Sequence, residues 1–216
     1  MGANAIVGIS MAAGHTTGLG DEGGFAPEIE LPEDVLDMLV PAIIDAGYEP
    51  GPHGVAIALD PAASEFYRDD GYHVAGQSLS ASEMVDYYAD LVDRFPVWSI
   101  EDGLAEDDWA GWASLTEQLG DKIQLVGDDI FVTDPSIIKA AVSRGVANAA
   151  LIKVNQIGTV SETLDAMGVC REAGYAAMVS HRPGETMDTF IADLAVGSGC
   201  GQLKSGAERR SQAIEA

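Results

Sequence analysis

Positive charge is scarce in this chain. Four lysines and seven arginines stand against 35 acidic residues, a formal net charge of −24 over 216 residues. A bulk field of that sign repels nucleic acid and anionic membrane surfaces, so neither is an expected partner. The acidity itself reads as solubility, of the kind suited to a salty interior. An anionic ligand must then be drawn in by a local group of metal and basic side chains. Cysteine is nearly absent as well. Cys170 and Cys200 lie in separate segments without metal-ligand spacing, which argues against a disulfide framework and fits free thiols in a reducing compartment. No apolar run approaches the roughly 20 residues that cross a bilayer, and no charged-then-apolar leader opens the sequence. Membrane insertion is not expected, and the expected location is cytoplasmic. There is no internal repeat and no low-complexity linker. The length suits one ordinary core, or part of a large α/β barrel of about 250 residues.

What is present is an alternation. Apolar runs rich in Val and Ile ("GVAIALD", "VWSIED", "IQLVGDD", "NAALIKVN", "YAAMVSHR", "GQLKSG") alternate with longer segments of helical period. Ser80 or Ser82, Asp108, Asp134 and Asp188 stand where helix N-caps belong, and several helices close on Gly. Near-continuous apolar strands alternating with helices predict a parallel sheet covered on both faces.

Each predicted strand ends in a polar or charged residue: Asp60, Glu101 with Asp102, Asp128 with Asp129, Lys153, His181 with Arg182, and Lys204. Ligands of parallel α/β folds bind at these carboxyl ends, where side chains converge. A single charged strand end is ordinarily a solvated boundary; six in succession, holding two of the four lysines, indicate a site. Asp60, Glu101 and Asp128 come from successive strands and offer hard oxygen ligands suited to Mg²⁺. Lys153, Arg182 and Lys204 follow as a cationic half that a small carboxylate or phosphate could bridge, the Arg182 fork suiting phosphate. Lys153, nearest the metal, is placed as a base. The pattern suits removal of a proton beside a carboxylate. Glu22, on the glycine-flanked loop "GLGDEGGFAPE", is either a solvent-facing turn carboxylate or the acid that protonates a leaving hydroxyl. Asp102 and Asp129 are expected to point away from the ligands as supporting residues. Trp98, Trp109 and Trp112 are expected in packing, and His53 and His73 in polar surface turns.

The motifs "GDEGGFAP", "LDPAASEFY", "SIEDGLAEDDW", "VGDDIFVT", "LIKVNQIGT", "SHRPGETMDT", "IADLAV" and "GQLKSG", in this order over residues 18–207, resemble the signatures of enolase (phosphopyruvate hydratase). The resemblance implies an incomplete TIM-type (β/α) barrel of about six parallel strands over 18–216, with residues 1–17 a remnant helix of a capping domain. It implies Mg²⁺-dependent interconversion of 2-phosphoglycerate and phosphoenolpyruvate in glycolysis. Carried over by motif, Asp60, Glu101 and Asp128 are the metal ligands, Lys153 the base and Glu22 the acid. Arg182, Lys204 and His181 bind the phosphorylated carboxylate substrate. A homodimer, and a second life at the cell surface or secreted, are further properties the resemblance allows.

The departures are equally specific. The resemblance implies a shortened member, expected to lack most of the capping domain, the first two barrel strands and the final helix. Pro183 stands where the pattern has Ser, removing a hydroxyl and a backbone N–H that would meet phosphate. Lowered turnover is the expectation. The alternative is a non-catalytic remnant that binds divalent metal or a partner chain. A dehydratase acting on sugar acids is a weaker third reading, because the Glu22 loop and the "SHR" run follow the enolase pattern.

Overall fold

The computed structural model describes residues 29, 31–69, 71–182, 186 and 188–205. They fall into two compact units. The smaller holds the described residues of Met1–Ala56, Arg182–Asp188 and Ser205–Ala216. Its one helix among the described residues, α1 (Pro32–Asp45), opens on a proline, whose missing N–H costs nothing in a first turn, and buries Leu36 and Ile43.

The larger unit, Ile57–His181 with Thr189–Lys204, is an α/β array. A single parallel sheet runs in the order β1 (Ile57–Leu59), β5 (Val97–Glu101), β6 (Gln124–Gly127), β7 (Ala149–Ile152), β8 (Ala176–Ser180), β9 (Leu203–Lys204). Helices α2 (Ala81–Arg94), α3 (Trp109–Leu119), α4 (Pro135–Arg144), α6 (Val160–Ala173) and α7 (Phe190–Ser198) connect the strands, with a one-turn α5 (Val154–Ile157) after β7. All four residues of β7 are fully buried, as a strand covered on both faces requires. One face carries Val126, Ala149 and Leu151 packed against Ala176 and Met178. Helix α6 lies on β7 and β8, and α7 on β8 and β9.

The sheet curls. Laid flat at about 4.8 Å per strand, β1 and β9 would stand roughly 24 Å apart. Yet the Lys204 ammonium on β9 lies 2.7 Å from the Asp60 carboxylate just beyond β1. At the other end of the same face, Gln124 and Gln202 exchange reciprocal amide hydrogen bonds of 2.9 and 2.7 Å, although three strand spacings separate β6 from β9. The fold is therefore an incomplete TIM-type barrel of six parallel strands with flanking helices, as expected.

Sequence reasoning missed a second sheet. Between β1 and α2, β2 (Tyr67–Arg68), β3 (Gly71–Val74) and β4 (Gln77–Leu79) form an antiparallel meander. Its β3–β4 turn places Ala75 and Gly76 at φ 51° and 74°, the primed geometry of a two-residue hairpin. His73 belongs to β3 and not to a turn, whereas His53 is exposed as expected. Ser80, Asp108 and Asp134 cap their helices through side-chain oxygens. For α7 the capping position is Thr189 and not Asp188, and no side-chain bond caps it. Trp112 is fully buried and Trp109 lies under the Arg144 guanidinium, but Trp98 is 48% exposed, against the packing role expected of it.

Candidate active site

Strand register places the chemistry. Paired residues of a parallel sheet share a face, and side chains alternate along each strand. Glu101 pairs with Val126, Gly127 with Ala150, Ile152 with Val179, and Ser180 with Lys204. Counting from these pairs puts Glu101, Asp128, Lys153 and Lys204 on the face that carries Val126, Leu151 and Met178. Apolar residues fill the middle of that concave face, with Gln124 and Gln202 at its amino end and charged residues at its carboxyl end.

Those charges form ion pairs. Lys204 Nζ donates to Asp60 Oδ2 and to Glu101 Oε1, each at 2.7 Å. Lys153 Nζ donates to Asp128 Oδ2 at 2.5 Å. Asp60 and Lys204 are partly open to solvent, whereas Glu101 and Asp128 are buried. Burial, followed by the Asp60 charge, pushes the Glu101 carboxyl up to about 8 in spite of Lys204. Burial also raises Asp128, against the pull of Lys153. Burial works against the Lys204 ammonium, but the Glu101 and Asp60 carboxylates outweigh it and hold its pKa above the ordinary lysine value.

Asp102 braces the strand ends from behind. Its Oδ1 accepts the Asp128 N–H at 2.9 Å and its Oδ2 the Asp129 N–H at 3.0 Å. Its own N–H donates to Val126, and its carbonyl accepts from Ala63. Burial raises this carboxyl to about 7, and the two amide bonds oppose the rise. A second brace comes from Thr133, fully buried, whose hydroxyl accepts the Lys153 backbone N–H at 3.0 Å and donates to Gln156 Oε1 at 2.9 Å. Ala62, Asp102, Val132 and Thr133 all have φ between 44° and 59°. Such backbone costs about 1–3 kcal/mol per residue and is characteristic of functional sites. Here it follows β1, β5 and β6, on the same end of the sheet as the ion pairs.

The structure thus brings together Asp60, Glu101, Asp128, Lys153 and Lys204. His181 is buried at the end of β8, where its backbone N–H donates to the Lys204 carbonyl. Arg182 belongs to the smaller unit. Glu22 and Pro183 lie outside the described residues. Among the described residues, the three carboxylates within 4.8 Å of one another are Asp102, Asp128 and Asp129. Only Asp128 is shared with the expected trio; Asp60 and Glu101 both accept from the Lys204 ammonium.

The donor set suits a hard divalent cation. All the anionic groups are carboxylates: Asp60, Glu101 and Asp128 pair with two ammonium groups, and Asp102 and Asp129 lie beside Asp128. Asp128 Oδ1 is buried without a hydrogen-bond partner among the described residues, a vacancy in bonding that a cation would fill. Sequence reasoning assigned nothing to Thr133 or Gln156. Their one sequence signal is proximity, Thr133 in the loop after the Asp128 strand end and Gln156 in the turn after Lys153.

A comparison with protein families matches residues 6–216 to the model described as "Enolase, C-terminal TIM barrel domain".

Proposed function

Since the chain belongs to the family of enolase C-terminal TIM barrel domains, we propose that it is an enolase-type lyase, catalysing the Mg²⁺-dependent, reversible dehydration of 2-phosphoglycerate to phosphoenolpyruvate in glycolysis. In this reading Asp60, Glu101 and Asp128 hold the cation. Bound there, a divalent ion would supply the positive charge that a dianionic enolate needs. Lys153 takes the C2 proton. Lys204, Arg182 and His181 hold the carboxylate and phosphate ends of the substrate. Glu22 gives a proton to the departing C3 hydroxyl, so that water leaves and the C2–C3 double bond forms. Pro183 offers no hydroxyl or N–H to the phosphate, and turnover below that of an enolase with Ser at this position is expected.

The observation that carries the reading is the pairing of two ammonium groups with three carboxylates at the carboxyl ends of β1, β5, β6, β7 and β9 on one concave face. The test is the Mg²⁺-dependent formation of phosphoenolpyruvate from 2-phosphoglycerate by the purified chain, with Lys153→Ala and chelation as controls. Turnover lost in both controls supports the proposal. Metal binding with no product, unchanged by Lys153→Ala, would point instead to a non-catalytic metal-binding chain.

A further inference from the structure

The loop after β6 grips Lys153 at both ends. Asp128, at its start, accepts from the ammonium, and Thr133, near its end, accepts from the backbone N–H. Neither group is free to drift. Asp128 is tied through its own N–H to Asp102, and the Thr133 hydroxyl donates to Gln156, three residues beyond Lys153. The loop between them is drawn tight by Phe131 and Val132 N–H bonds to the Asp128 carbonyl, and Asp134 ends it by capping α4. Val132 and Thr133 are β-branched residues in the left-handed region, where such side chains are outliers and Gly or Asn would sit more easily. Thr133 is nonetheless there, fully buried, with both hydrogen-bonding capacities of its hydroxyl used on the Lys153 segment.

From this geometry we infer that Thr133 is a positioning residue for Lys153, acting through the main chain to set where its ammonium meets Asp128. The consequence for rate rests on the base role proposed above; the consequence for placement does not. Two variants separate the hydroxyl from the shape. Thr133→Val keeps the branched form and loses both bonds, while Thr133→Ser keeps the hydroxyl.

The readout is the rate at which an amine-acylating reagent modifies Lys153 in the full chain, followed by mass spectrometry against Lys122 and Lys139 as internal references. Lys153 is now only 14% exposed in its side chain and paired. Thr133→Val should raise its modification several-fold relative to those references, with Thr133→Ser close to the parent chain. If Thr133→Val does not fold, Gln156→Leu, which frees the hydroxyl to turn away, should raise modification in the same direction. Unchanged modification in the variants that fold, or an equal rise in Thr133→Ser, overturns the inference. Where the parent chain forms phosphoenolpyruvate, Thr133→Val should lower kcat by about tenfold or more with KM little changed, since an ångström of misplacement is felt in the chemical step, and Thr133→Ser should restore it. A parent chain that makes no product removes the base role and leaves the placement to be decided by the acylation result.

Discussion

Replacing Gly127 by Ala should loosen the site from below. Gly127 closes β6 immediately before Asp128, and its φ is not in the left-handed region, so alanine meets no backbone penalty. On backbone grounds alone the change would stabilise the fold by about 0.4–1 kcal/mol, through the unfolded chain. Packing decides otherwise. An added Cβ would lie 2.6 Å from two Phe131 ring carbons and 2.8 Å from the Ile130 side chain. The ring is fully buried, so it can yield only by moving the loop that carries Asp128 and Thr133. Overpacking of this kind costs about 1–3 kcal/mol, enough to outweigh the backbone gain. The assay is urea unfolding of a double-mutant cycle with Phe131→Ala. Gly127→Ala should destabilise the parent chain by about 1–2 kcal/mol and cost close to nothing once the ring is gone, a coupling of the size found for residues in contact. A Gly127→Ala chain as stable as the parent would show that the ring has room to move and that the loop is not held tight.

Three further outcomes are expected. Asp134→Ala removes the acceptor for the Ser136 and Ile137 N–H groups at the start of α4 and should cost about 1 kcal/mol in thermal or urea unfolding; no change would mean that water replaces the cap. Cys170 is fully buried, with burial pushing its thiol up to about 11, so a thiol reagent at pH 8 should modify Cys200 promptly and Cys170 only after unfolding; prompt reaction at both would overturn the packing described for α6. Finally, Glu101 is raised from 4.5 to about 8 and Asp102 from 3.8 to about 7, burial being the main cause in each. The folded chain without metal therefore holds protons that the unfolded chain releases, and its stability should fall as pH rises from about 4 to 8. A divalent cation held by Glu101 must displace the proton on that carboxyl, so calorimetry should show its apparent affinity rising toward pH 8, with proton release; an affinity independent of pH would place the cation away from Glu101.

The strand ends were legible because the apolar runs stop where the chemistry starts, and a parallel sheet makes that end the convergent one. Asp60, Glu101, Asp128, Lys153 and Lys204 follow from this alone. The reach of Lys204 to Asp60 and Glu101 does not follow, since it depends on curvature set by residues far apart in sequence. Nor does the meander of β2–β4, whose strands have two to four residues and little alternation of apolar and polar positions. Asp102 was read as a supporting residue from alternation. Its two amide bonds arise because its backbone leaves the strand at φ 45°, which no pattern of residue types announced. The brace at Thr133 was invisible for the same reason.

Strand β9 has two residues; the His181 N–H donates to its Lys204 carbonyl, and the Val179 N–H to the Gln202 carbonyl just before it. So short a ribbon owes much of its placement to side chains that leap over its neighbours, Gln202 at one end and Lys204 at the other. The curvature of the sheet is thus tied to a few interior polar groups as well as to the ladder. Anyone grafting a new binding function onto this scaffold could start from Gln124 and Gln202, which tie the sheet at the end of the strands opposite the charged residues.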